Sequence, residues 1–269
     1  MTDPYQSPSK SPKKKNGLLQ RVVSALVMLP IAIAIILMGG AAYYGLVILL
    51  TILILYEWNG ICEGKAFNAV FVLQTIFVLL LVYSLIRAEY FDLYIYLVPV
   101  GLLIVAGIYY KMKLKFGLLG IAYALLPALS LIWIRENHDG WIVLWMMIIV
   151  WSMDTGAYFV GKSIGGPKMS PKISPNKTWA GLIGGAVTAV VFGLIAAHYF
   201  DLGFRMMFLI PAAAGLAIWS QIGDLAESAL KRHFDVKDSG AIIPGHGGIM
   251  DRVDGVVFAA PAVALFLYL

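Results

Sequence analysis

Residues 141–160 read WIVLWMMIIVWSMDTGAYFV, twenty positions with a single charged side chain, Asp154. A helix of that length rises about 30 Å, the thickness of a bilayer's hydrocarbon core. Runs of the same kind recur on either side, near 18–38, 41–58, 67–86, 91–110, 116–135, 179–200, 204–223 and 250–269. Residues 224–233 are too polar to span and continue the eighth helix beyond the membrane. Of the 269 residues, 61% are hydrophobic and 13% charged, against about 25% charged in a soluble domain. The expected fold is an all-α, polytopic integral membrane protein with about nine transmembrane helices.

The cations set the orientation. With the N-terminus in the cytoplasm and the spans alternating, 17 of the 20 Lys and Arg residues fall on the inner side. Only Arg87, Arg135 and Arg205 are left outside. This asymmetry is the positive-inside rule. Residues 1–16, with Lys10, Lys13, Lys14 and Lys15 among prolines, read as a disordered basic tail. Such a tail would serve as an orientation signal or be drawn to anionic lipid headgroups. The first apolar run is too long for a signal peptide's core and is followed by no small-x-small cleavage site, so it reads as a retained span. Residues 17–140 then form a set of N-terminal transmembrane helices, and 141–269 a region in which spans alternate with polar inner loops. The single cysteine, Cys62, excludes an internal disulfide framework and a multi-cysteine metal site.

Four polar clusters interrupt the second half. Asp154 lies inside a span, where a carboxylate needs a partner or a wet cavity. It reads as a metal- or phosphate-site residue, with a structural carboxylate bonded to a neighbouring helix as the alternative. The loop from Gly161 to Thr178 supplies glycine N–H groups, Lys162, Lys168 and Lys177, and hydroxyls before a helix opens near Lys177-Thr178. That is a natural phosphate site, although the Walker A spacing is absent. Asp224, Glu227, Ser228 and Lys231 follow i, i+3, i+4, i+7 and share one helix face. The face is either solvated or a metal-binding edge. Last come Lys237-Asp238-Ser239-Gly240 and Pro244-Gly245-His246-Gly247-Gly248-Ile249-Met250-Asp251-Arg252-Val253-Asp254. There Asp251 suits a divalent cation, Arg252 suits Asp254 or a phosphate, and His246 is a loop histidine of structural or binding role. Hard oxygen ligands beside lysines point to Mg²⁺-dependent phosphoryl or nucleotidyl transfer.

The run SALKRHFDVKDSGAIIPGHGGIMDRVD, Ser228 to Asp254, resembles the signature of the phosphatidate cytidylyltransferases, the CDP-diacylglycerol synthases. Asp154-Thr155, Ser174-Pro175-x-Lys177-Thr178 and Gln221-x-Gly223-Asp224 resemble that family's preceding blocks, in the same order. One departure is Ala180, where members often carry an acidic residue before the glycine at 181. The resemblance implies that CTP and phosphatidic acid are the substrates and CDP-diacylglycerol and pyrophosphate the products. It implies Mg²⁺, with K⁺ as candidate second cation, at Asp224 and Asp251, and leaves Asp154 as a metal ligand or orienting group. Catalytic roles fall to Asp224, Asp251, Lys231 and Arg232. Substrate contacts fall to Lys177, Ser174, Thr178, Ser228, Lys237, His246 and Arg252. It further implies a homodimer in a bacterial-type inner membrane, working on the cytoplasmic face with membrane lipids as partners and no nucleic acid.

Two other readings compete. A cation-coupled transporter would use Asp154 as part of an ion path, but the chain shows no repeat and its polar residues crowd one boundary. A CDP-alcohol phosphotransferase would need D-x2-D-G-x2-A-R…G-x3-D-x3-D, of which Asp251-Arg252-Val253-Asp254-Gly255 is only a fragment.

Overall fold

A computed structural model describes residues 17–87, 114–242 and 247–269. The described chain is helical, with one short hairpin: α1 (Gly17–Met38), α2 (Gly40–Glu63), α3 (Ala69–Arg87), α4 (Leu114–Asn137), α5 (Gly140–Ile164), β1 (Lys168–Ser170), β2 (Ser174–Thr178), α6 (Trp179–Tyr199), α7 (Met206–His233) and α8 (Met250–Tyr268). Each predicted span among the described residues corresponds to one of these helices. The tail 1–16, the fourth span at 91–110 and His246 lie outside the described residues. Five helices, α2 and α4 to α7, are long and apolar enough to cross a membrane. The seam at 223/224 is unbroken, as the sequence predicts, so α7 carries its polar last turns as one rod with the span before them.

Burial follows the logic of a bilayer. Ile183, Val187, Val191 and Ile195 form an exposed apolar stripe on α6 at four-residue spacing. Such a patch is a liability in water and a fit in lipid. Polar side chains instead turn inward and join helices. Asn59 Nδ2 donates to Gln74 Oε1 at 2.6 Å, and Gln74 Nε2 donates to the Gly117 carbonyl at 2.7 Å. Trp58 Nε1 donates to the Phe116 carbonyl at 2.8 Å. These bonds fasten α2, α3 and α4 together where packing against lipid-like neighbours supplies no hydrophobic drive.

The closest helix pair is α5 and α6. A Cβ placed on Gly185 would lie 2.7 Å from the Met153 carbonyl oxygen, and one on Gly181 would lie 2.9 Å from that of Ala157. The small-x3-small spacing of Gly181 and Gly185 lets the two backbones touch.

Between these helices the chain makes an antiparallel hairpin with Lys168 opposite Thr178 and Ser170 opposite Ser174. The turn into it needs Gly165 and Gly166, at φ of 69° and 93°, a region closed to most side chains. Sequence reading anticipated only a loop here. Strands of three and five residues are too short for periodicity to register, and Pro175 in β2 is tolerated because the sheet has only edges.

Candidate active site

The polar groups gather at one end of the bundle. The last turns of α2, α5 and α7 meet the first turns of α4, α6 and α8 there, with the hairpin across them. Two carboxylate–lysine assemblies occupy this end.

In the first, Lys177 from β2 pairs with Asp224 on α7, and its nitrogen is shielded from solvent. Gln221 Nε2 and Ser228 Oγ also donate to Asp224, each at 3.3 Å and from one turn away on the same helix. Thr178 follows Lys177 and caps α6, its hydroxyl accepting from Gly181 N at 3.0 Å. This is the favoured chemistry for an N-cap, and it fixes where Lys177 leaves the strand. Asp154 comes from α5 into the same region. It lines a cavity of about 240 Å³ with Lys177, Thr178, Asn176, Gln221 and Asp224. Asp224, Lys177 and Arg252 are among the charges that act on it most strongly.

In the second, Lys231 sits two turns further along the same helix from Asp224. Its ammonium donates to Glu227 Oε1 at 2.9 Å and to Asp251 Oδ1. Glu227 is almost wholly buried, and its other oxygen accepts from Tyr123 OH of α4 at 2.9 Å. Asp251 stands in the first turn of α8. Its Oδ2 accepts from Ser239 N at 3.0 Å and from Gly248 N at 3.1 Å, with Ser239 Oγ also at 3.0 Å. The shared face of residues 224, 227, 228 and 231 thus divides: 224 and 228 look toward Lys177, and 227 and 231 look toward Tyr123 and Asp251.

The remaining predicted residues surround these two assemblies. Arg232 is exposed and donates to the carbonyls of Ile173 (3.4 Å) and Val236 (3.0 Å), tying the end of α7 to the hairpin turn. Ser174 opens β2, half-buried. Lys237 is exposed in the loop after α7, and Arg252 is exposed on the first turn of α8. Sequence reading passed over Glu57, Gln221, Tyr123 and Ser239 as site residues. Glu57 carried a usable signal, since a carboxylate inside an apolar span marks a site by default. Tyr123 carried none, since an aromatic in an apolar helix reads as packing.

Among the described residues, no three His, Cys, Asp or Glu side chains lie close enough to hold an ion between them. A protein cage for a cation is therefore absent from this end of the molecule as described. Mg²⁺, however, is commonly held by one or two carboxylates with substrate phosphates and waters completing its shell. Asp224 and Asp251 supply hard oxygens of that kind, each beside a lysine able to meet a phosphate.

The sequence profile of the cytidylyltransferase family matches residues 19–269. The chain belongs to that family. It is 36% identical over 264 residues to a phosphatidate cytidylyltransferase of Brucella suis, with 93% of each chain covered. It is 33% identical over 285 residues to one of Haemophilus influenzae, covering 93% of this chain and 99% of the relative. A Bacillus subtilis protein of the same name is 49% identical over 126 residues, about half of each chain. Membership of the cytidylyltransferase family agrees with the resemblance read from residues 228–254 and leaves the transporter reading without support.

Proposed function

We propose that this protein transfers the cytidylyl group of CTP to phosphatidic acid, releasing pyrophosphate and forming CDP-diacylglycerol. The observation that carries the reading is the pairing of Asp224 with Lys177 and of Asp251 with Lys231 at one end of a membrane-embedded bundle. The family and the names of the full-length relatives supply the substrates. An oxygen of the phosphatidate phosphate attacks the α-phosphorus of CTP, a new P–O bond forms, and the bond between the α-phosphorus and the bridging oxygen breaks. The electron pair leaves with pyrophosphate. No general base is required, because the phosphatidate phosphate is already anionic at neutral pH.

Each residue's part follows from its place. Lys177 and Lys231 hold phosphate oxygens and offset the charge that collects on three phosphate groups at once. Ser174, Thr178 and Ser228 are placed to hydrogen-bond to those oxygens. Arg232, exposed beside the hairpin turn, and Lys237 and Arg252 draw the triphosphate toward the site. Asp224 and Asp251 would supply oxygens to Mg²⁺ and to K⁺ as a second cation, with substrate phosphates and water completing each shell, and Asp154 would orient a neighbouring group or add a ligand on the Asp224 side. Such a cation would supply charge neutralisation to the reacting phosphates. The cavity beside Asp154 is smaller than the roughly 300–1,000 Å³ of typical ligand pockets, so it suits a phosphorylated headgroup better than both substrates together.

We also propose nine spans with the N-terminus in the cytoplasm. Gln74 of α3 bonds to Gly117 of α4, near the start of each helix. Both helices thus begin at one end of the bundle, which supports an alternating arrangement with that end inside. The site then faces the cytoplasm of a bacterial inner membrane, where CTP is made, and the protein acts as a homodimer.

The test is cytidylyl transfer by the detergent-purified protein, supplied with phosphatidic acid and α-labelled CTP, with and without Mg²⁺, and challenged with ATP, GTP and UTP. Label appearing in a lipid product only when Mg²⁺ and phosphatidic acid are both present is the expected result. A folded, monodisperse sample that forms no labelled lipid under any cation would overturn the reading.

A further inference from the structure

Glu57 lies on α2, far from the signature in sequence, yet its carboxylate is embedded in that signature. It is only 2% exposed. Its Oε1 accepts from Ile249 N at 2.9 Å, and its Oε2 accepts from Met250 N at 2.8 Å and from Ser239 Oγ at 2.7 Å. Ile249 and Met250 are the N-cap and first residue of α8. An isoleucine N-cap offers no side-chain acceptor for the free N–H groups of a helix start, and Glu57 provides it from another helix. A carboxylate there also meets the positive end of the α8 dipole.

The surrounding glycines are shaped to this carboxylate. A Cβ on Gly240 would sit 2.7 Å from Glu57 Oε1, and its three nearest neighbours would all be Glu57 atoms. A Cβ on Gly248 would collide with both Ser239 Oγ and Glu57. Two glycines of the 228–254 run thus make room for a residue outside it.

We propose that Glu57 is the positioning residue for Asp251. Three groups donate to Asp251 Oδ2, namely Ser239 N, Ser239 Oγ and Gly248 N. Glu57 holds the same serine hydroxyl and the two residues that follow Gly248. A hydroxyl carries one proton, so Ser239 serves one carboxylate at a time. While it donates to Glu57, Asp251 keeps its two backbone donors on Oδ2 and presents Oδ1 to Lys231 and to whatever cation enters. Loss of Glu57 would unpin the first turn of α8 and with it the direction of Oδ1. The N-terminal helices thereby contribute to the site without touching substrate.

This inference rests on Asp251 serving a cation, as proposed above, and the experiment separates the two. Mn²⁺ binding to the full-length protein in detergent, without substrates, would be followed by electron paramagnetic resonance beside thermal melting and the Mg²⁺ dependence of activity. Asp251→Asn should abolish one class of Mn²⁺ sites. In Glu57→Gln, the amide turns a donor toward donors in either orientation, so at least one of the three bonds is lost. That variant should bind Mn²⁺ about 10–100-fold more weakly and need correspondingly more Mg²⁺, as supporting residues around metals commonly show. Gly240→Ala should give a smaller shift of the same sign and lose its effect in a Glu57→Ala background, a coupling that a double-mutant cycle measures. If Asp251→Asn lowers Mn²⁺ binding while Glu57→Gln and Gly240→Ala alter only the melting temperature, Glu57 is a fold support and the proposal fails. If Asp251→Asn itself binds Mn²⁺ like the wild type, the reading of Asp251 fails first and the proposal goes with it. Should Glu57→Gln not fold, Gly240→Ala still decides between these outcomes.

Discussion

Lys231 is the one ammonium shared by two carboxylates among the described residues, Glu227 and Asp251. Glu227 is fully buried, so removing the cation strands its charge and loosens Asp251. Lys231→Met should lower stability by about 3–5 kcal/mol, the usual cost of breaking a buried pair. Thermal melting in detergent measures it, and an unchanged melting temperature would mean the carboxylates find other partners. Asp224→Asn and Asp251→Asn keep shape and most hydrogen bonds while removing charge. Each should cut cytidylyl transfer by at least about 100-fold, on the scale of losing one preorganised electrostatic contact in a transition state, with the fold retained. Normal Mg²⁺-dependent turnover in either variant removes that residue from the site. At this scale the charged members of the site were legible, because lysines and aspartates in a mostly apolar chain stand out. Ser239 and Tyr123 were not, because they act through a backbone N–H or on a residue more than a hundred positions away in sequence, and Glu57 showed its charge in a span but not its partners.

The elements carry these residues on surfaces that touch, and α5 and α6 touch most closely. Gly185 packs on the Met153 carbonyl, one residue from Asp154, and Gly181 lies in the first turn of α6, four residues after Lys177. Gly185→Ala has to push the backbones apart, at a cost of about 1–3 kcal/mol by the measure of overpacked cores. It should also lower turnover by moving Asp154 away from Lys177. Gly215 on α7 is the control, since a Cβ there meets nothing within 4 Å. Gly215→Ala should be neutral or stabilising by up to about 1 kcal/mol, read from the same melting curves. If both substitutions behave alike, the close approach of α5 and α6 is not what holds the site. Span positions among the described residues and the continuity of α7 past residue 223 were readable from composition and spacing. The hairpin was not, because its order depends on being clasped between α5, α6 and the Arg232 side chain rather than on strand propensity.

For the molecule in its membrane, the proposed nine-span arrangement makes a directional prediction. Cys62 is the single cysteine and is buried, so introduced cysteines can be read against a low background. Lys172→Cys, in the hairpin turn, should react with an impermeant maleimide only after the cytoplasmic face is opened. Asp201→Cys, between α6 and α7, should react in intact spheroplasts. The reverse pattern would invert the protein and place the site outside. Hydropathy determined the helical membrane class by itself, because twenty apolar residues have one low-energy use in a bilayer and helices satisfy their own backbone. Charge placement and the 228–254 run likewise pointed to the end of the bundle and the chemistry. Only the tertiary structure decided which carboxylate meets which lysine, that α7's polar face divides between two assemblies, and that Glu57 reaches across from α2 to cap α8. Those choices depend on how helices distant in sequence pack and on where a missing Cβ leaves room, and neither is written in the local pattern of any one segment.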